Sequence, residues 1–514
     1  MEKLYKAVLR IIAVFGSLVF FFLTLYSWRF TRILSYGEIL TDTQDSFAMN
    51  LLVVFVVLLL AFFLCRFFSP LSQNIWHILA LGTSCLVAIA CFIFCKNANP
   101  YPVGDQLQIY LTAESLYSGN TQWLKDYEYF RIYPFQLGLS SLYSLFFRLC
   151  GHSSFLVIQS IQSILSGFSI YAGFRITREL FQKRQAEGLY LILAVCFIPL
   201  YFYSGYIYGE SIGICSTLYA ILCYLLMLKN WNFNKPKRYM FAVLTTFFLS
   251  VTYLIRSALL IVWIAMFLMQ LIMSLKNKKI LPAILVLLML PVMLLTQRAI
   301  VGLTEASIGS NYGSGCPLIM WIAMGAQENE NDRGPGSFND FNRLTFIDCG
   351  YNRSETSKKG IESLQKSLNT WMDNPSKMIR FFKEKILNQW NEPTYGAIQM
   401  TCYLNEPAAW VSAIYEGIYS NTIYLFMDRY QALFFFAIMG YFITLLHVKP
   451  DPILYFIGLI LLGGFCFSII WEAKSRYVFP YLMIALPCAA GSIDSYMAKA
   501  AAIIHNRTRN SHHT

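Results

Sequence analysis

Four short polar clusters interrupt an otherwise apolar chain, and each holds residue types that can do chemistry. The first is Asn99-Pro100-Tyr101-Pro102-Val103-Gly104-Asp105-Gln106, where prolines and a glycine stop an apolar run and leave a carboxylate at its end. A carboxylate at the mouth of a membrane cavity can accept the proton of a hydroxyl nucleophile; the competing reading is a cap for the next helix, which carries Tyr110, Glu114 and Tyr117 and ends near Gly119. The second cluster, Tyr206-Ile207-Tyr208-Gly209-Glu210-Ser211, puts Glu210 and Tyr208 at the edge of an apolar helix, where they suit an acceptor or cation site or complement the helix N-terminus. Arg256 breaks a long apolar stretch, and its planar donor fork fits a phosphate; snorkelling to the interface is the alternative. The fourth cluster packs Glu472, Lys474 and Arg476 between two apolar runs, as an anionic headgroup site or a stop for the preceding span.

The elements that must position these residues are membrane helices. The chain has 514 residues, 57% hydrophobic and only 13% charged, about half the usual charged fraction of soluble domains, which excludes an ordinary soluble enzyme. Apolar runs of about 20 residues predict twelve spans: 11–27, 48–65, 76–95, 154–174, 188–205, 208–228, 239–254, 257–275, 281–297, 426–446, 453–470 and 477–497. The net charge of +12 is carried in short clusters between these runs and reads as an orientation signal rather than a nucleic-acid surface. Residues 133–150 decide the topology. If they span, the basic loops around Arg175–Arg184, Lys229–Arg238 and Lys276–Lys279 fall outside; if they lie along the interface, as Pro134, Gln136 and scattered serines permit, all three fall inside with both termini. The second arrangement is expected.

Three regions follow: 1–297, membrane helices with a large outer loop at 96–153; 298–425, an outer loop domain; and 426–514, the last spans with a basic tail. Within the loop domain, residues 309–315 and 331–336 are turn-rich, and 355–390 has helical periodicity. Most of the 13 cysteines, Cys65, Cys91 and Cys95 among them, lie in apolar runs and read as packing residues; a disulfide between Cys316 and Cys349 is an open alternative. Asn352-Arg353-Ser354 is a glycosylation pattern of low specificity.

Asp105 in the first large outer loop, an interfacial helix ending in glycine, Tyr133-Pro134-x-Gln136-x-Gly138-Leu139, Arg178-Glu179-Leu180-Phe181, Tyr208-Gly209-Glu210 and Glu472-x-x-Ser475-Arg476-Tyr477 together resemble the GT-C fold membrane glycosyltransferases. The chain is similar in particular to bacterial relatives of protein O-mannosyltransferases and aminoarabinose transferases. It implies an all-α polytopic bundle, with the interfacial helices and long outer loop of that fold, transferring a sugar from a polyprenyl-phosphate carrier to an extracytoplasmic acceptor at the cell membrane: a cell-envelope glycan, a protein or a lipid. Asp105 takes the place of the family's catalytic carboxylate; Glu210, with Tyr208 and Glu114, is expected at the acceptor or cation site, and Arg256, Arg476 and Lys474 at the lipid phosphate. Tyr133, Gln136 and Glu472 are further candidates at the outer face; the long loop is placed to close over the acceptor, and its Arg333 and Lys385 read as solvated surface charges, with a phosphate contact as the alternative. Two spans precede the one leading to Asp105, a departure from the family's usual order. No motif calls for a cofactor, and a divalent metal at the carboxylates stays open. A lipid-linked sugar flippase and a polysaccharide polymerase or ligase are the rival functions.

Overall fold

The computed structural model describes residues 2–35, 39–68, 72–329 and 333–511, without the side chains of 65–68 and 502–511. The Cys65 side chain and the Asn331-Asp332 start of the second turn-rich stretch therefore lie outside what is described. Among those described, ten helices are long and apolar enough to cross a membrane: Glu2–Ser27, Phe47–Leu64, Gln73–Ala98, Phe155–Phe181, Glu210–Lys229, Lys235–Ile255, Ser257–Asn277, Leu281–Ile308, Ser420–His447 and Pro452–Ile470. Hydrocarbon offers the backbone no hydrogen-bond partner, so each apolar run satisfies its own N–H and C=O groups as a helix. Burial ranks these helices. Phe47–Leu64 is peripheral, with 17% of its apolar window buried, whereas Glu210–Lys229 is central at 83%.

Two expected spans take another form. Residues 188–205 fold as Arg184–Cys196 and Pro199–Tyr203, divided where Pro199 starts the second piece without an N–H to give. Of residues 477–497, Tyr477 ends a turn and 479–497 belong to the 33-residue helix Phe479–Ser511, which carries Pro487 and Asp494 and is not one of the ten. The ambiguous 133–150 forms a turn at Pro134–Gln136 and a 14-residue helix, Leu137–Cys150. At about 1.5 Å per residue that helix reaches only about 21 Å, short of a hydrocarbon core of about 30 Å. It packs against Asp105–Ser118 instead.

Helical periodicity had no room for the antiparallel hairpin of Phe30–Leu34 with Leu40–Gln44, so the expectation of an all-α chain needs this amendment. Arg32 in its first strand grips Asp42 in the second at 2.6 and 2.7 Å and reaches Glu384 Oε2 at 2.8 Å on the helix Pro375–Trp390. Thr31 Oγ1 lies 2.5 Å from a carboxylate oxygen of Asp45 and of Asp428, tying the hairpin to Ser420–His447 as well. Within 298–425 the periodic stretch 355–390 is two helices, Arg353–Asp373 and Pro375–Trp390, parted where Asn374 caps the second. Cys316 and Cys349 are both free thiols, and Asn352 of the glycosylation pattern caps Arg353–Asp373 with its own side chain.

Further charges pair at the C-terminal ends of Phe155–Phe181 and Glu210–Lys229. Arg178 pairs with Glu187 at 3.2 Å, Lys229 with Glu179 at 2.7 Å and Lys183 with Asp494 at 2.9 Å. Gln73–Ala98 and Phe155–Phe181 approach closely at Gly167, where an added Cβ would stand 2.5 Å from the Ser84 carbonyl oxygen. Gly167→Ala is therefore expected to destabilise the bundle by about 1–3 kcal/mol through overpacking. A lowered thermal midpoint in detergent, with no such loss for Gly82→Ala at an open position, checks this.

Candidate functional site

Asp105 is the first residue of the helix Asp105–Ser118 and is exposed. Its Oδ2 accepts a hydrogen bond from the Tyr208 hydroxyl at 3.1 Å, and that same phenol oxygen accepts from Gln136 Nε2 at 2.8 Å. Amide, phenol and carboxylate thus form one directed chain, in which the amide polarises the phenol toward the carboxylate. The neighbouring Gln106 locks the arrangement from below, accepting from the Ile207 backbone N–H at 2.9 Å. Three segments distant in sequence are fixed by four side-chain groups.

Two guanidiniums flank this chain. The central carbons of Arg256 and Arg476 each lie 4.9 Å from the centre of the Tyr208 ring, within the range of cation–π attraction. Arg476 also donates through Nη1 to the Tyr206 hydroxyl, and Arg256 pairs with Glu210, whose side chain is 1% exposed. Burial beside an apolar helix makes that pairing obligatory for both partners. Glu210 is accordingly committed to Arg256, and the expected open acceptor or cation site at Glu210 is not formed.

Other expected residues divide. Tyr133 sits near enough for Asp105 and Glu472 to act on it electrostatically, and burial first, then those carboxylates, push its phenol above the ordinary tyrosine range. Glu472 is buried and accepts from the Tyr477 hydroxyl at 3.4 Å. Glu114 is not part of the group: about 13 Å along its helix from Asp105, it accepts from Ser153 at 3.0 Å and faces the loop after Leu137–Cys150. Arg333 and Lys474 are brought together by backbone pairing, since Ala473 N donates to Gly336 O at 2.7 Å and Ser337 bridges to Ala473. Gly336 makes that approach feasible, with φ of 71° and an imagined Cβ only 2.6 Å from the Gly325 carbonyl oxygen.

A family model described as conserved hypothetical integral membrane protein matches residues 4–496. The chain belongs to that family. No curated protein matches the sequence. Among the described residues of this integral membrane protein, no three His, Cys, Asp or Glu side chains gather closely enough to hold a metal ion. Asp105 and Glu210 do not form a shared donor set, because Glu210 turns to Arg256.

Sequence reasoning passed over Tyr206, Gln106, Asn388 and Glu392. The first two stood inside recognised motifs, but only packing reveals that they hold the motifs together. Glu392 is fully buried and accepts from the Thr394 N–H and Gly396 N–H at 2.9 and 2.6 Å; burial pushes its carboxyl up while these bonds pull the other way. Lys385 reverses its expected role. It is fully buried rather than solvated, and Nζ donates to the backbone carbonyls of Gly325 and, at 2.9 Å, Ile469. Two acceptors suit a neutral amine with two hydrogens, and burial pushes the lysine down to about 7, with Glu472 opposing. Below about 7 the buried ammonium is fully charged in both folded and unfolded chains; between about 7 and 10.5 the folded chain releases a proton that the unfolded one keeps, so stability rises with pH across this window. Thermal midpoints measured from pH 7 to 9.5 are expected to rise for the native protein relative to Lys385→Met, whose slope lacks this contribution.

Proposed function

We propose that the protein is a membrane glycosyltransferase that moves a sugar from a polyprenyl-phosphate carrier to a hydroxyl acceptor on the extracytoplasmic side. The observation that carries this reading is the exposed Asp105, oriented by Tyr208 and set beside two guanidiniums at one end of an apolar helical bundle. Tyr208 engages Oδ2, which leaves the other carboxylate oxygen to meet an acceptor hydroxyl. As the acceptor's hydroxyl oxygen bonds to the anomeric carbon, its proton passes to the Asp105 carboxylate and the bond from the anomeric carbon to the phosphate oxygen breaks. Polyprenyl phosphate departs with the electron pair. Charge accumulating on it is met by Arg476, whose partner Tyr206 is neutral, with Arg256 close by although compensated by Glu210. Positioning, proton acceptance and cationic stabilisation are the three contributions required of the protein.

The acceptor in this reading belongs to the cell envelope, a glycan, protein or lipid, and both chain termini are cytoplasmic in the cell membrane. The far cluster of Arg178, Lys183 and Lys229 supports that orientation by the positive-inside rule. Ionisable groups concentrated at the two ends favour a transferase over a flippase, which needs polar groups along the passage.

Purified protein supplied with a panel of radiolabelled polyprenyl-phosphate sugars is expected to release labelled sugar to water or acceptor. Asp105→Asn should lower kcat by about 100-fold or more, the range of a lost general base. Tyr208→Phe should lower it by about 10- to 100-fold, the equivalent of one hydrogen bond to a charged group. Movement of labelled lipid across vesicles without sugar release by either protein would replace the transferase with a flippase.

A further inference from the structure

The helix Ser257–Asn277 starts beside Arg256, and at its other end it parts from Glu2–Ser27 and Pro452–Ile470 to leave a groove of about 570 Å3. Val8, Ile12, Leu268, Leu271, Ile272 and Leu459 form apolar walls, and among the described residues Lys278 is the one charge in the lining. Backbone geometry holds this lysine at the edge. It closes the helix in the left-handed region at φ 54°, its N–H donating to the Ser274 carbonyl at 2.9 Å, while Ser274 Oγ lies 2.9 Å from the Lys279 carbonyl oxygen. Leu268 precedes Lys278 by ten residues, so the groove runs about 15 Å along the helix from the cation. That depth is one leaflet, half of a hydrocarbon core of about 30 Å.

Lys278 and Lys279 are both exposed, and among the described residues neither has a carboxylate partner. The acids nearest this end are occupied. Glu2 pairs with Lys6 at 2.8 Å, and Asp451 Oδ1 caps Pro452–Ile470 by accepting from the Ile453 N–H at 3.1 Å. Lys276 Nζ lies 5.5 Å from the centre of the Tyr5 ring, which brings a third ammonium to the junction of Glu2–Ser27 with Ser257–Asn277. By contrast, a groove of about 640 Å3 between Lys235–Ile255 and Leu281–Ile308 has no charged residue in its lining.

Hydrocarbon enters any apolar groove open to a bilayer, and a lipid tail gains little by exchanging other tails for leucines of the same polarity. What selects the occupant is therefore its head group. We infer that the groove holds one acyl chain of an anionic phospholipid, drawn from the leaflet at the Lys278 end, with the lipid phosphate against the Lys278 and Lys279 ammonium groups. Basic pockets between spanning helices take phospholipid head groups in this way, and a lysine stem lies along an apolar wall while its ammonium reaches the head-group level. A depth of one leaflet is the length of such a tail. The chain fills the space between Glu2–Ser27 and Ser257–Asn277, so the lipid completes the packing of the first helix. The site is remote from Asp105 and stands apart from the transferase reading.

Native mass spectrometry of the full chain in detergent, titrated with dioleoyl phosphatidylglycerol and with dioleoyl phosphatidylcholine, tests this. One phosphatidylglycerol is expected to bind about tenfold or more tightly than phosphatidylcholine, since each ammonium favours an anionic lipid by about fivefold. Lys278→Glu should remove that preference and Lys278→Arg should keep it, both with the thermal midpoint of the lipid-free native protein, because the side chain is exposed. Leu268→Trp fills the deep end of the groove and should weaken phosphatidylglycerol binding with both lysines intact. Lys237→Glu, which alters a basic loop outside the groove, should bind as the native protein does. Equal affinity for the two lipids overturns the inference. So does an equal loss in Lys237→Glu, which marks diffuse surface charge, or full binding by Leu268→Trp, which marks a head group held without the groove. Farnesyl phosphate displacing phosphatidylglycerol at equal concentration overturns the phospholipid assignment and makes the groove a carrier site.

Discussion

A single phenol, that of Tyr208, joins segments that would otherwise have no reason to meet. Its oxygen accepts a hydrogen bond from Gln136 and donates one to Asp105, while its ring face attracts Arg256 and Arg476. Tyrosine does both because its rim is polar and its body is aromatic. The residue is 5% exposed, so these contacts operate with little competition from water. The two guanidiniums at that ring are each partnered: Glu210 compensates one, and Tyr206 accepts from the other.

The long loop region 298–425 is attached by a different device, the capture of backbone carbonyls at the end of a membrane helix. Lys385 donates to Ile469, Gln389 Nε2 to the Ser468 carbonyl at 2.9 Å, and Trp390 Nε1 to Ser468 Oγ at 3.0 Å. The last carbonyls of a helix have no partner within it, and those at the end of Pro452–Ile470 find theirs in the side chains of one face of Pro375–Trp390. The loop region thus completes a membrane helix, and the segment Glu472–Arg476 that follows is delivered to the site in one orientation.

The site was legible where polar residues interrupt apolar runs. Asp105, Tyr208, Glu210, Arg256, Gln136 and Arg476 stood out because hydrocarbon-length stretches tolerate few charges and prolines, and the structure gathers all six. Their pairings were not legible, since whether a carboxylate is open or committed depends on what another helix presents to it; Glu210 with Arg256 is the case in point. Glu114 misled for a geometric reason, lying on the right helix but too far along it. Lys385 and Asn388 belong to an amphipathic helix whose periodicity says which residues share a face and nothing about what covers that face. The hairpin escaped because five-residue strands give too little alternation to be distinguished from a linker.

The contacts of the first helix extend the consequences to synthesis. Glu2–Ser27 packs along Ser420–His447, and Trp28 Nε1 donates to the Ala432 carbonyl at 3.1 Å across 404 positions of sequence. At a translation rate of about 5–20 residues per second, the first span waits about 20–80 s in the membrane before its partner exists. During that interval the Trp28 indole and the buried side of the helix face lipid or the insertion machinery. The ribosome therefore sets a lower bound on the time to a complete bundle, and a chain stalled before residue 420 leaves the Ser420–His447 side of its first helix uncovered.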